Sequence, residues 1–370
     1  MTLATTVVLW GLALGVILGY VGSKTNFCTM GAVSDVVNMG SWDRMRAWFL
    51  AIAVAILGTG VLTYLGFLDI TKTIYTSGSG GFPILTFLVG GFTFGIGMTL
   101  ASGCGNKTLL RIGGGNLKSL VVFVFMGFAA IATLKGIFGA FRAGVLSAPS
   151  VTIQFDHAPT LPAFLSGMGG LDSKSLQLAV AIVISLLLLL FIYLNKEFRK
   201  DADNNLSGLV IGLVVVAAWY VTGYVGFAEN MDTMEKIFMG ASNKDFAESM
   251  SFVAPSAYML EYLGYWTDTS RVITFSVASA FGVFLGSFLY AKISKSFRWE
   301  YFTSAKDMGS HMIGAILMGF GGVTALGCTI GQGITGVSTL SLGSILTLVS
   351  IIAGSAITMK IQYYLMMREA

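Results

Sequence analysis

The sequence predicts an all-α polytopic membrane protein, with about nine transmembrane helices plus short re-entrant helices or loops. Three observations carry that prediction. Hydrophobic residues make up 55% of the chain and charged residues only 11%. Several apolar runs approach about 20 residues, enough to cross a hydrocarbon core of about 30 Å. Two of the apolar regions are interrupted by glycine-rich segments, each centred on a cysteine. This composition excludes a soluble domain, and residues 1–370 read as a single integral membrane domain in a lipid bilayer. No nucleic-acid partner is expected.

Taken in order, the nine expected spans are about Leu3–Gly22, Arg46–Leu68, Pro83–Ser102, Leu117–Phe141, Ser175–Tyr193, Leu206–Phe227, Arg271–Ala291, Gly309–Gly327 and Leu342–Tyr364. The first has no basic residue before it and no small-residue cleavage signature, so it reads as a span and not a signal peptide. Its Gly11, Gly15 and Gly19 form a small-residue stripe suited to close helix packing. The third and eighth spans are broken by glycine and run into the cysteine segments. Of the two long connections, Arg142–Lys174 and Ala228–Ser270, the second reads as a solvated helix carrying Asp232, Glu235 and Glu248, followed by S-F-V-A-P at Ser251. Leu161–Leu171 is expected at the membrane interface, and His157 in a solvated loop.

Basic residues orient the chain. The loops after the first, third, fifth and seventh spans, with the C-terminal end, carry fifteen Lys and Arg. The other loops carry five: Lys72, Arg142, Lys174, Lys236 and Lys244. By the positive-inside rule the N-terminus is outside and the C-terminus cytoplasmic.

An internal similarity follows the glycines. Aligning Cys104 with Cys328 also matches Gly90 with Gly314, Gly95 with Gly319, Gly97 with Gly321 and Gly103 with Gly327. With the orientation above, the two segments enter from opposite sides, as in transporters built from inverted repeats. The repeat-like elements cover about residues 1–141 and 206–370. Glycines here serve close packing or open a re-entrant loop. Runs such as G-Q-G-I-T-G make poor lipid-facing helix and favour the loop.

The chain has three cysteines, Cys28, Cys104 and Cys328, no C-x-x-C, and two distant histidines, His157 and His311. A disulfide framework and a metal site are therefore not expected, nor is any cofactor. A single buried cysteine is most often a small hydrophobe. Three, each in a glycine-rich break and each beside polar residues, suggest a substrate path. Those neighbours are Asn26 and Thr29, then Asn106 and Lys107, then Thr329 and Gln332. With exposed backbone N–H groups they can replace part of an anion's hydration shell. Lys107, Arg111 and Lys24 serve equally as positive-inside anchors or as a weak funnel for an anion. Thiols hold a soft, sulfur-bearing anion loosely, which passage requires.

At these residues the chain resembles the YeeE/YedE family of bacterial inner-membrane proteins, which take up thiosulfate. The likeness covers nearly the whole chain. It rests on G-V-I-L-G-Y at Gly15, N-F-C-T-M-G-A-V-S-D at Asn26, G-M-T-L-A-S-G-C-G at Gly97, S-F-V-A-P at Ser251, F-R-W-E at Phe297 and M-G-F-G-G-V-T-A-L-G-C-T-I-G-Q-G-I-T-G at Met318. The resemblance implies an hourglass-shaped path with Cys28, Cys104 and Cys328 along it, relaying the thiosulfate ion through S–H contacts. It implies an inner membrane, which makes the outside N-terminus periplasmic, and, as a partner, a small cytoplasmic TusA-like sulfur-carrier protein. No such carrier domain is expected within this chain, which ends just after its last span. Some relatives are linked to selenium metabolism, so another sulfur- or selenium-containing anion stays open.

The expected class is therefore a transporter and not an enzyme. No G-x-x-x-x-G-K-[ST] occurs, and Gly113–Gly115 lacks the lysine and hydroxyl of a phosphate loop. The rival is a membrane-embedded sulfurtransferase or thiol-redox enzyme. It needs a thiol of lowered pKa, for which Lys107 is the only nearby candidate.

Overall fold

The computed structural model describes residues 2–76, 81–155, 157–166, 173–229 and 236–369. Helices dominate. In chain order they are α1 (Leu3–Lys24), α2 (Thr29–Ser34), α3 (Asp43–Tyr64), α4 (Ile84–Leu100), α5 (Gly105–Gly113), α6 (Leu117–Leu134), α7 (Ile137–Phe141), α8 (Leu161–Ser166), α9 (Ser173–Tyr193), α10 (Lys196–Lys200), α11 (Ala202–Tyr220), α12 (Ala254–Gly264), α13 (Phe275–Ile293), α14 (Ala305–Thr324) and α15 (Leu342–Glu369). Two short antiparallel pairs complete the description: β1 (Gly81–Pro83) with β2 (Thr152–Gln154), and β3 (Phe227–Glu229) with β4 (Lys236–Phe238).

Eight helical segments among the described residues are long and apolar enough to cross a membrane. They match eight of the nine expected spans. The unmatched one is the eighth, Gly309–Gly327: its helix α14 has 20 residues but carries Lys306, Asp307 and His311 in its first turns and is less apolar. Side-chain caps fix several starts: Thr2 before α1, Asn116 before α6 and Ser304 before α14 accept N–H bonds from residues three further on. The expected span Leu117–Phe141 is two helices, because α6 stops at Lys135 and Gly136 precedes α7.

Two glycine seams organise the packing. On α1, Gly15 and Gly19 lie against the backbone of Ser279 and Val283 on α13, and Gly282 and Gly286 of α13 answer against Leu12 and Val16. The second seam joins α4 to α14. A Cβ on Gly90 would lie 2.7 Å from the Ala325 nitrogen, and one on Gly314 would lie 2.6 Å from the Ala101 nitrogen. Gly97 meets the Gly314 carbonyl, and Gly321 meets the Gly90 carbonyl. Every contact is matched by the residue aligned with it about Cys104 and Cys328. The correspondence extends outward, where Gly95 packs on Ile351 of α15 and Gly319 on Met126 of α6.

These contacts correct the sequence reading. From Gly90 to Gly97 and from Gly314 to Gly321 the glycines sit inside regular helix and serve close approach. They do not open loops. G-Q-G-I-T-G also stays helical, as a π-helical turn over Gly331–Gly336. The solvated helix expected before Ser251 is absent from the described residues. Asp232 and Glu235 lie outside them, residues 236–253 form β4 and turns, and the next helix starts at Ala254. Glu248 is mostly buried, and its Oε1 accepts from Ser242 N at 3.0 Å. Of Leu161–Leu171, α8 accounts for residues 161–166, and the rest lies outside the described residues. His157 is exposed, as expected.

Candidate functional site

All three cysteines are free and buried, and each sits at a corner built in the same way. The preceding helix ends on a residue with positive φ: Asn26 at 53°, Ser102 at 57° and Leu326 at 61°. The next N–H then reaches back to close the helix end: Phe27 N to Gly22 O (3.1 Å), Gly103 N to Met98 O (2.8 Å) and Gly327 N to Gly322 O (2.7 Å). The cysteine follows, and its carbonyl starts a new helical turn. Ala32 N, Thr108 N and Gln332 N bond to the carbonyls of Cys28, Cys104 and Cys328 at 3.0, 2.9 and 2.7 Å. Sequence reading placed the turn freedom on glycine. The left-handed residue is instead Asn, Ser or Leu. For a side chain such as Leu this costs about 1–2 kcal/mol and must be imposed by the surroundings.

The three corners converge. Cys104 stands within electrostatic reach of both Cys28 and Cys328, which makes it the middle thiol. The Thr329 hydroxyl lies beside Cys104, yet its oxygen has no partner at hydrogen-bond geometry. The sulfur of Cys28 accepts from Gly31 N, and that of Cys328 from Gly331 N, each at 3.4 Å. The Ser251 side chain and the Phe252 backbone face Cys328.

Four of the polar residues singled out from the sequence share one property. Thr29 Oγ1, Asn106 Oδ1, Thr329 Oγ1 and Gln332 Oε1 are buried and have no hydrogen-bond partner within the protein. Each such atom costs on the order of 1–3 kcal/mol. These four are among twelve such atoms in the described residues, and they leave hydrogen-bonding capacity next to the three thiols. Gln332 is held by its other end, where Nε2 donates to the Ala325 carbonyl.

Beyond Cys28 and Cys104 the surroundings become basic. Lys107 on α5 donates to Asn26 Oδ1 at 3.3 Å and feels both thiols. Arg111, one turn later, donates to the Ser102 carbonyl at 2.7 Å. Arg44 was missed in the sequence. It forms a two-pronged pair with Asp35 at 2.5 and 2.6 Å, and a Cβ on Gly31 would meet its guanidinium. Lys24 lies apart, paired loosely with Asp203 at 3.8 Å. A cavity of about 930 Å³ opens here, lined by Asn26, Ser102, Lys107, Arg111 and Lys118. At the Cys328 end a smaller cavity of about 100 Å³ is lined by Tyr75, Glu248, Ser251, Tyr258 and Leu326. Among the described residues no group of three or more His, Cys, Asp or Glu could hold a metal ion.

Comparison with known proteins adds an independent line. A family model described as sulphur transport matches residues 24–357. The thiosulfate transporter TsuA of Escherichia coli (strain K12) is 26% identical over 364 residues, covering 94% of this chain and 93% of that protein. The thiosulfate transporter TsuA of Spirochaeta thermophila is 25% identical over 353 residues, covering 93% of this chain and 96% of that protein.

Proposed function

The chain belongs to the sulphur transport family, and from that membership we propose that it imports thiosulfate across a bacterial inner membrane, passing the anion along Cys328, Cys104 and Cys28. It is a transporter and not an enzyme, and the names of two relatives support thiosulfate as the cargo. The observation that carries the reading is the file of three buried thiols between two cavities, with unpartnered polar atoms beside it.

The chemistry follows from weak donors. A thiol with an ordinary pKa near ~8.5 is neutral at pH 7 and gives a soft, weak S–H bond. Three such groups let an anion move from one shallow well to the next, whereas fixed charge at the narrowest point would hold it. Thr29 and Thr329 offer hydroxyl donors to the oxygens of the anion. The Asn106 and Gln332 carbonyls, left without partners in the protein, stay free to accept S–H from a thiol as it turns toward or away from the anion. Asn26 and Lys107 receive the anion at the basic cavity.

In this reading the N-terminus is periplasmic, the C-terminus and the basic cavity are cytoplasmic, and the elements over about 1–141 and 206–370 form two inverted halves of an hourglass. A small TusA-like sulfur carrier would collect the anion at the basic cavity. Uptake of thiosulfate, sulfate and selenite into proteoliposomes holding only this protein tests the proposal. Thiosulfate should enter fastest. Equal entry of sulfate would remove the argument from soft sulfur. Thiosulfate labelled separately on each sulfur should arrive with both labels on one molecule, and their separation would favour sulfur transfer by the protein.

A further inference from the structure

The cavity at the Cys328 end contains one acidic group and no lysine or arginine in its lining. Glu248 is held there by donors that orient it without neutralising it. Its Oε1 accepts from Ser242 N at 3.0 Å and Ser242 Oγ at 3.3 Å, and the Ser276 backbone faces the carboxyl. The Ser242 hydroxyl is itself tied to Thr274 Oγ1 at 3.1 Å and Ser276 Oγ at 2.5 Å. No cation pairs with Glu248 among the described residues. By contrast, Glu261, Asp268, Glu300 and Asp307, on or between α12 and α14, all form salt bridges.

The titratable groups facing Glu248 are two phenols: Tyr75, from the loop before β1, and Tyr258, from α12. Cys328 lies within reach of Tyr75 on its other side. Glu261, near Tyr258, is taken up by Lys135 and Arg271. On the turn that carries Glu248, Lys244 and Asp245 are exposed. Ser251 links cavity to thiol, since it lines the one and faces the other.

We infer that Glu248 is a specificity-determining residue at the mouth of the thiol file, admitting a sulfur oxyanion when its carboxyl is protonated and repelling it when ionised. The inference rests on the transport reading above. Protonated, the carboxyl offers an O–H donor to an oxyanion before Ser251 and Cys328 take it over. Ionised, it sets a negative charge beside an incoming dianion in a narrow cavity that holds no cation. Burial, more than anything else, raises this carboxyl to about 7. A carboxyl raised in this way is neutral below that pH and charged above it, so passage weakens as pH rises through about 7. One group titrating there goes from about nine-tenths protonated at pH 6 to about one-tenth at pH 8, which sets a change of about tenfold.

The test is exchange of labelled thiosulfate in proteoliposomes from pH 5.5 to 8.5, with the same pH and the same thiosulfate concentration on both sides. Thiosulfate stays a dianion throughout, so only the protein titrates. Exchange by the parent should fall about tenfold between pH 6 and pH 8. Glu248→Gln should vary less than twofold across the range, and Glu248→Asp should keep a titration, with folding of both checked by melting in detergent. A flat parent profile, or a Glu248→Gln profile as steep as the parent's, overturns the inference while leaving transport intact. A parent that exchanges no thiosulfate at any pH overturns the transport reading and this inference together.

Discussion

The Cys104 and Cys328 corners are alike up to the thiol and unlike after it. Both close a glycine-seamed helix with a left-handed non-glycine residue, then a glycine, then the cysteine. After Cys104 comes α5, a regular helix bearing Lys107 and Arg111. After Cys328 comes a π-helical turn whose aligned positions are Gly331 and Thr335. Gly331 has no room for a lysine, since a Cβ there would sit 2.6 Å from Ser251 Oγ. Thr335 donates to the Met250 carbonyl at 2.9 Å, where Arg111 on the other side serves the Ser102 carbonyl. The thiols are thus common ground, and the charge belongs to one end. On the proposed path an anion would meet neutral donors on one side of the file and cations on the other.

Cysteine substitution probes the shared part and should have the largest effect. Cys104→Ala and Cys328→Ala each remove a donor to an anion at depth, a loss of roughly 1.5–3 kcal/mol, or about one to two decades in uptake. Serine in either place should keep more uptake than alanine and lose preference for thiosulfate over sulfate. Parent-level uptake by both alanine variants at equal abundance would make the cysteines packing residues. The seam comes next. Gly90→Ala and Gly314→Ala each push a methyl into backbone, at a cost of about 1–3 kcal/mol. Melting in detergent should show similar losses for the pair, and a large inequality would break the correspondence of the two segments.

The remaining tests address the unlike ends and are smaller. Cys28→Ala should lower uptake by less than Cys104→Ala does, because cations surround Cys28 and hold part of the anion's charge. Equal losses would place Cys28 in the narrowest part. Lys107→Gln should reduce affinity about two- to fivefold, for roughly 0.5–1 kcal/mol of screened attraction, and the difference should shrink in high salt. If its effect survives molar salt unchanged, Lys107 acts through the Asn26 contact and not through its charge.

Much of this was legible in the sequence. Apolar length gave the spans, and the glycine alignment gave the α4–α14 correspondence, because a backbone contact leaves a fixed residue type behind it. The thiols and their polar neighbours were legible as well, since packing alone seldom puts polar residues beside a cysteine in an apolar run. What stayed hidden depends on distant partners. Ser102 and Leu326 adopt positive φ because the N–H just before each cysteine closes backward, and nothing in a serine or leucine announces that. Arg44 is folded back onto Gly31 and the Cys28 corner by its pair with Asp35, across the turn between α2 and α3. Glu248 looks like any acidic residue of a polar loop until Ser242 and Ser276 enclose it.

The two glycine seams have a mechanical consequence. Where backbone rests on backbone there is no side chain to re-rotamer, so α1 cannot slide along α13, nor α4 along α14, without lifting several contacts at once. A cycle in which whole bundles rock would have to break these seams on every turnover. On the transport reading proposed above, the scaffold would serve as a rigid frame, and the moving parts would be small: a hydroxyl that turns, a thiol that changes partner, the Lys107 chain that swings. Turnover in such a frame is set by how fast side chains reorganise around the cargo. Distances measured between labels on paired seam helices should stay the same whether or not thiosulfate is present.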